Sequence, residues 1–155
     1  MSQRAGGFLI TQIHQLGRRV FAELLKQHEI VIGPGQGRIL FALWQKDGVP
    51  INELVERTLL RKSTLSELLD NLEKAGYVRR EQSEDDRRKI LIKLTERTQK
   101  LQNVYVNLSI EMTKIFYDGF SRDEIDEFET YLQRILSNLI PHDTESGAGE
   151  ESVDL

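Results

Sequence analysis

Apolar residues along this chain recur at two different intervals, and the place where the interval changes marks its organisation. Over 8–29, Ile13, Leu16, Val20, Leu24 and Leu25 form a stripe at helical spacing, and Leu9 and Phe21 widen it. A stripe that wide predicts burial on more than one side. Gly33-Pro34-Gly35-Gln36-Gly37 breaks the pattern, with Pro34 near the start of a new helix that carries Ile39, Leu40, Leu43 and Trp44. Asp47-Gly48-Val49-Pro50 reads as a turn, and its Val-Pro-Ile edge can add a short strand to a sheet formed later in the chain. Ile51, Leu54 and Val55 give a short helix. Leu65, Leu68, Leu69 and Leu72, at i, i+3, i+4 and i+7, give a strongly amphipathic one that Gly76 stops. Beyond Gly76 the period becomes two. Residues 77–80 predict a strand, 83–86 a turn-prone tip, and 90–94 a return strand in which Ile90, Ile92 and Leu94 alternate with Leu91 and Lys93.

The helical period then returns. Leu101, Val104, Tyr105, Leu108, Met112, Ile115 and Phe116 make one long helix that Thr95 can cap, and Asp118-Gly119-Phe120 ends it. Ser121 with Glu124 fits a capping box, opening a last helix whose Ile125, Phe128, Leu132, Ile135 and Leu139 form a heptad seam. Pro141 closes that helix. Residues 141–155 are polar, acidic and rich in Gly and Ser, and are expected to be disordered.

Helix, tight turn, helix and charged hairpin together describe a winged helix-turn-helix: a mainly α fold with a small β-wing. The second helix of such a motif suits a DNA major groove. Its leading residues here are Arg61, Lys62, Ser63, Thr64, Ser66 and Glu67. Lys62 and Arg61 suit phosphates or guanine, and Ser63, Thr64 and Ser66 are permissive contacts. Two roles stay open for several of these residues. Ser63 and Thr64 also fit as helix caps, Thr64 with Glu67 matching a capping box, whereas Glu67 could instead accept a hydrogen bond from cytosine N4.

The same residues resemble the MarR family of bacterial and archaeal transcription regulators. The resemblance is carried by Leu54, by Lys62-Ser63-Thr64-Leu65-Ser66, by the run from Leu68 through Gly76-Tyr77-Val78, and by Asp85-Asp86-Arg87-Arg88-Lys89 leading to Leu94-Thr95. Gly33-Pro34-Gly35-Gln36 is similar to the Thr-Pro-x-Gln that opens the family's second helix. The likeness covers roughly residues 8–140 and implies a DNA-binding lobe over 34–97, flanked by dimerisation helices over 8–29 and 98–140. It also implies that Arg88 enters a minor groove, that Asp86 orients it, and that Arg87 and Lys89 lie near phosphates. Two chains would intertwine as a homodimer through the seam of Ile125, Phe128, Leu132, Ile135 and Leu139. A small, often aromatic or anionic effector would bind between lobe and dimer helices, with His14, Arg18, Phe21 and Trp44 as candidate lining. Two departures stand out. Gly37 replaces the apolar or aromatic residue the family often has, which leaves extra space near that junction. Thr98 stands where the family usually has Gly.

Composition refines the picture. The formal net charge of -4 over 155 residues runs against nucleic-acid binding, but its distribution does not. Residues 57–97 hold eleven Lys/Arg against eight Asp/Glu, whereas 141–155 hold five acidic residues and no basic one. With no Cys, disulfides, Cys-ligated zinc and cysteine redox sensing are excluded. His14 and His28 are fourteen residues apart, about 21 Å along a helix, too far to share a metal within one chain. The glycine-rich 33–37 stretch lacks the Gly-Lys-Ser/Thr ending of a phosphate loop. Neither a nucleophile elbow nor a HExxH motif is present, so no enzymatic activity, metal or cofactor is expected. No apolar run is long enough to span a bilayer, and the simplest reading is cytoplasmic. The partners expected are double-stranded DNA, a second copy of the chain and a small effector. The competing reading is a winged helix that binds a protein partner without DNA, favoured by the acidic flanks and Glu67.

Overall fold

The computed structural model describes residues 3–144, so most of the expected disordered segment, from residue 145 on, lies outside the described residues. The chain divides into two compact units, one ending at Phe116 and the other beginning at Tyr117.

In the first unit, α1 (Gly6–Gln27) closes through Glu29, whose φ of 57° lets the Ile30 N–H reach the Leu25 carbonyl (3.0 Å) and the Glu29 N–H reach Lys26 (3.0 Å). Next, α2 (Pro34–Gln45) opens at an extended Gly33, whose N–H donates to the Gln36 side-chain oxygen at 3.1 Å. Gln36 thus covers a donor that would otherwise be bare at the helix start. The short strand β1 (Val49–Pro50) runs directly into α3 (Ile51–Thr58). Leu59 ends α3 in the left-handed region (φ 56°), and the buried Thr58 hydroxyl donates to Leu54 at 2.6 Å. Then follow α4 (Lys62–Lys74), β2 (Val78–Gln82), β3 (Ile90–Leu94) and α5 (Arg97–Phe116).

The sheet is antiparallel in the order β1-β3-β2, with Val49 opposite Ile92 and Pro50 opposite Leu91. The Val-Pro edge therefore supplies the third strand, and Pro50 sits on an edge where its missing N–H costs no ladder bond. Ile39, Leu40 and Leu43 of α2, Leu54 of α3, Leu65, Leu69 and Leu72 of α4, and Ile92 of β3 form one solvent-free core. Truncating any of these leucines to alanine would cost about 2–5 kcal/mol. Strand alternation holds at Ile92 but not at its neighbour two residues back. Ile90, at the mouth of the hairpin, is exposed.

A second cluster joins α1 to α5: Leu25, Tyr105 and Leu108, with Phe21, Leu24 and Trp44 packed against them. Leu25 is the one fully buried residue of α1, so its wide stripe is not buried within this unit. Phe8 (68%) and Leu16 (58%) are among six large apolar residues it exposes. The Thr95 hydroxyl does not cap α5; it donates to the Gly76 carbonyl, and α5 starts two residues later. Thr98 is fully buried and its hydroxyl donates to the Thr95 carbonyl.

The second unit holds α6 (Arg122–Leu139) and a 3-10 turn (Ile140–His142). Both arms of the expected capping box form: Glu124 N–H to Ser121 Oγ at 3.2 Å, and Ser121 N–H to Glu124 Oε2 at 2.8 Å. Tyr117 meets Phe120 and Phe128 edge-on, and its hydroxyl donates to Glu129 at 2.8 Å. Along the heptad seam, Ile125, Phe128 and Leu132 are half-buried while Ile135 and Leu139 are exposed.

Candidate nucleic-acid interface

Leu59 turns the chain, Arg61 is extended (φ -61°, ψ 142°), and the first intrahelical bond of α4 runs from the Leu65 N–H to the Arg61 carbonyl at 2.8 Å. Ser63 and Thr64 therefore lie inside the first turn and do not cap it. Arg61 is the N-cap residue and makes no side-chain cap bond, so the capping box of Thr64 with Glu67 does not form. The motif is present in sequence, but the turn before it starts the helix three residues too early. One consequence is chemical. The N-cap side chain makes no cap bond to the first-turn N–H groups of α4, and Lys62, Ser63, Thr64 and Glu67 are all exposed there, while Ser66 is half-buried. Such a helix start attracts phosphate through its bare donors and dipole. The apolar residues Leu65, Leu69 and Leu72 anchor the opposite face.

The wing is a stapled loop. Strands β2 and β3 pair from Val78 with Leu94 to Gln82 with Ile90, so β2 starts one residue later and runs two residues farther toward the tip than expected. Across the tip, Gln82 Nε2 donates to the Arg87 carbonyl (2.6 Å), Ser83 N–H to Lys89 (2.9 Å) and Lys89 N–H to Asp86 (2.9 Å). The Asp86 carboxylate accepts the Arg88 backbone N–H at 3.0 Å and sits 3.5 Å from its guanidinium. The Arg88 side chain is nonetheless 94% exposed. Arg87 and Lys89 are also exposed. Farther down the wing, Glu81 is flanked by Lys93 (3.3 Å) and Arg79 (3.4 Å); the hydrogen bond from Lys93 is foremost in holding its carboxyl below the ordinary value.

Arg80 links the wing to α4. Its guanidinium donates to Asp70 (2.8 Å) and Glu73 (3.0 Å), one helical turn apart, and its backbone N–H donates to Glu73 (3.2 Å). Sequence reasoning missed this clamp. The signal was there: Arg80 shares strand parity with buried Val78, so an arginine on the inward face required acids nearby.

The four effector candidates separate. Phe21 and Trp44 both pack against Tyr105, with ring centroids 5.3 and 5.2 Å from it. Exposed His14 and Arg18 are not part of that cluster; Arg18 lines an open groove of about 360 Å³ with Gln15, Arg19 and Ala22. Tyr105 was expected only as part of an apolar helix face. Instead its hydroxyl occupies the room beside Gly37 that was expected to be vacant, so closely that a Cβ there would overlap it. Burial pushes the Tyr105 phenol pKa up. The Trp44 indole N–H is buried without a hydrogen-bond partner. Among the described residues no cluster of His, Asp and Glu could hold a metal, and no helix is long and apolar enough to cross a membrane.

Against known proteins, the family model for MarR matches residues 32–90. The HTH-type transcriptional regulator SarZ of Staphylococcus haemolyticus is 31% identical over 121 residues, covering 77% of this chain and 79% of that protein. TtmR of Methylorubrum extorquens, another HTH-type transcriptional regulator, is 35% identical over 89 residues; the match covers 57% of this chain but only 44% of TtmR. Among solved structures, a MarR transcriptional regulator from Methanosarcina mazei superposes with a TM-score of 0.76 at 25% identity, over 87% of this chain and 96% of that one. A mutant MarR from E. coli complexed with operator DNA gives 0.75 at 23% identity, over 84% and 92%, a likeness of fold.

Proposed function

This chain belongs to the MarR family, and from that premise we propose that it is a homodimeric, sequence-specific DNA-binding repressor of a pseudo-palindromic operator. The observation that carries the reading is the pairing of two exposed features on one compact unit. One is an uncapped helix start bearing Lys62, Ser63 and Thr64; the other is a wing tip bearing Arg87, Arg88 and Lys89. The first suits major-groove edges and phosphates, and the second suits the strong negative potential of a narrow minor groove. Asp86 holds the root of Arg88, which reduces the freedom Arg88 must lose on insertion.

Dimerisation is supported by apolar surface that a lone chain leaves exposed. On α1, Phe8, Leu9, Ile10, Ile13, Leu16 and Val20 are exposed, and on α6 Ile135 and Leu139 are exposed. Exposed large apolar side chains gathered on one helix suit an association surface. A two-fold axis would then set two α4 helices about one helical turn of DNA apart. Release by a small effector is supported by the Phe21-Tyr105-Trp44 cluster and its unpartnered indole N–H, which suits a planar molecule with a hydrogen-bond acceptor. Acting on the genome of a bacterial or archaeal cell, the protein would work in the cytoplasm.

The test compares wild type, Thr64→Ala and Arg88→Ala on the duplex the protein selects best. Arg88→Ala is expected to weaken binding at least tenfold and to lower the salt slope by about one. Thr64→Ala is expected to relax preference at one base pair, at a cost of about 1–3 kcal/mol. Unchanged binding by both would refute the interface and favour a protein partner.

A further inference from the structure

The C-terminal end of α4 is tied to the beginning of α5 by contacts that touch neither the recognition residues nor the aromatic cluster. Past Ala75, Gly76 takes φ +80°, and the Tyr77 and Gly76 N–H groups turn back to the Leu72 and Glu73 carbonyls at 2.9 and 3.0 Å. That closure satisfies the donors and leaves the carbonyls of Ala75, Gly76 and Tyr77 pointing outward. All three are taken up by α5 and the residues before it. Arg97 Nη1 donates to Ala75 at 2.7 Å, the Thr95 hydroxyl to Gly76 at 2.5 Å, and the Thr95 N–H to Tyr77 at 3.1 Å. The Arg97 guanidinium also lies 5.0 Å from the centre of the Tyr77 ring. Glycine is required here by its positive φ and not by crowding, since a Cβ at residue 76 would meet Arg97 Nη1 at 3.6 Å, an ordinary contact.

We propose that Arg97 is a positioning residue that fixes the angle of α4 on α5 and so sets which half-site spacing the dimer accepts. The geometry gives it leverage. With 13 residues, α4 is about 20 Å long, and Arg97 grips the end opposite the recognition residues. A change of about 10° at that grip would move the recognition end by about 3.4 Å, the rise of one base pair. Arg97 thus decides register between half-sites, and the α4 side chains decide the bases within each one. This rests on the proposed DNA-reading dimer.

The experiment uses the full chain and duplexes carrying its selected half-sites at the preferred spacing, or with one base pair inserted or deleted. Wild type is expected to prefer its own spacing by about tenfold or more. In Arg97→Ala that preference should shrink to about threefold or less, with discrimination against a mutated half-site unchanged. Arg97→Lys, which keeps a cation able to reach the Ala75 carbonyl, should recover most of it. Thr95→Val, measured alongside, removes a different tie and should shift the ratio in the same direction. If Arg97→Ala loses affinity equally at every spacing, or loses none, Arg97 is only structural and the inference is overturned. A wild-type protein indifferent to spacing overturns the dimer reading and this inference with it, a result visible before any variant is made.

Discussion

Gly37 and Tyr105 offer a quantitative test of how the junction between α2 and α5 is packed. In Gly37→Ala the new methyl would overlap the Tyr105 hydroxyl oxygen, with ring carbon Cζ at 3.2 Å. Overpacking of this kind costs about 1–3 kcal/mol. Against it stands the helix propensity of Ala over Gly, about 1 kcal/mol inside α2. The expected net is a destabilisation of about 0–2 kcal/mol. Removing the oxygen reverses the sign: in a Tyr105→Phe background the nearest remaining contact is the ring edge, which a small tilt relieves. Gly37→Ala should then be neutral or stabilising by up to about 1 kcal/mol. The four proteins form a double-mutant cycle with a coupling of about 1–2 kcal/mol. Urea unfolding at one fixed protein concentration measures it, the concentration being held because a dimer's stability depends on it. Equal cost of Gly37→Ala in both backgrounds would refute the contact and return the junction to a roomy one.

Other perturbations follow from the same geometry. Arg80→Ala removes two partly exposed ion pairs, each worth about 0–1 kcal/mol, so a loss near 1 kcal/mol and a melting point lower by about 2–4 °C are expected; a melting curve identical to wild type would mean the clamp contributes nothing. Ile135→Glu places a charge on the exposed α6 seam and is expected to shift the protein from dimer to monomer in sedimentation velocity, whereas a variant that stays dimeric removes that seam from the interface. The Tyr117 phenol is pushed up to about 12, first by desolvation and then by its bond to Glu129. The folded chain therefore keeps this proton where the unfolded chain gives it up, so stability is intact below about pH 10 and falls as the pH rises toward 12. Tyr117→Phe should flatten part of that decline in circular dichroism; an unchanged decline would assign it to other groups.

Much of the fold could be read from local pattern because the relevant forces act locally. The leucines of α4, the left-handed Gly76, the Ser121 box and the Val49–Pro50 edge all behave as their spacing requires. Thr64 with Glu67 shows where local pattern misleads. The same four-residue spacing occurs inside a helix, and the start of α4 is set upstream by Leu59 and the extended Arg61. Thr95 fails as a cap for a different reason, since a non-local acceptor, the Gly76 carbonyl, takes its hydroxyl. The wide stripe on α1 was read as burial, and in the single chain most of it is exposed. Apolar period reports that a face avoids water, but not whether its own chain covers it. Least legible were the two clamps on α4. Arg80 reaches back ten residues to Asp70 and Arg97 twenty-two to Ala75, pairings no periodicity encodes. Tyr105 was hidden similarly, since filling the space beside Gly37 depends on how α5 crosses α2.

The most direct measurement is selection of the purified full chain on a pool of random DNA duplexes, carried through several rounds at ~150 mM salt, where non-specific phosphate binding is weakened. The account expects enrichment of a palindrome with half-sites about 10 base pairs apart, bound by two chains. No enrichment, with only weak binding that disappears as salt rises, would contradict it and leave the basic wing as a non-specific surface.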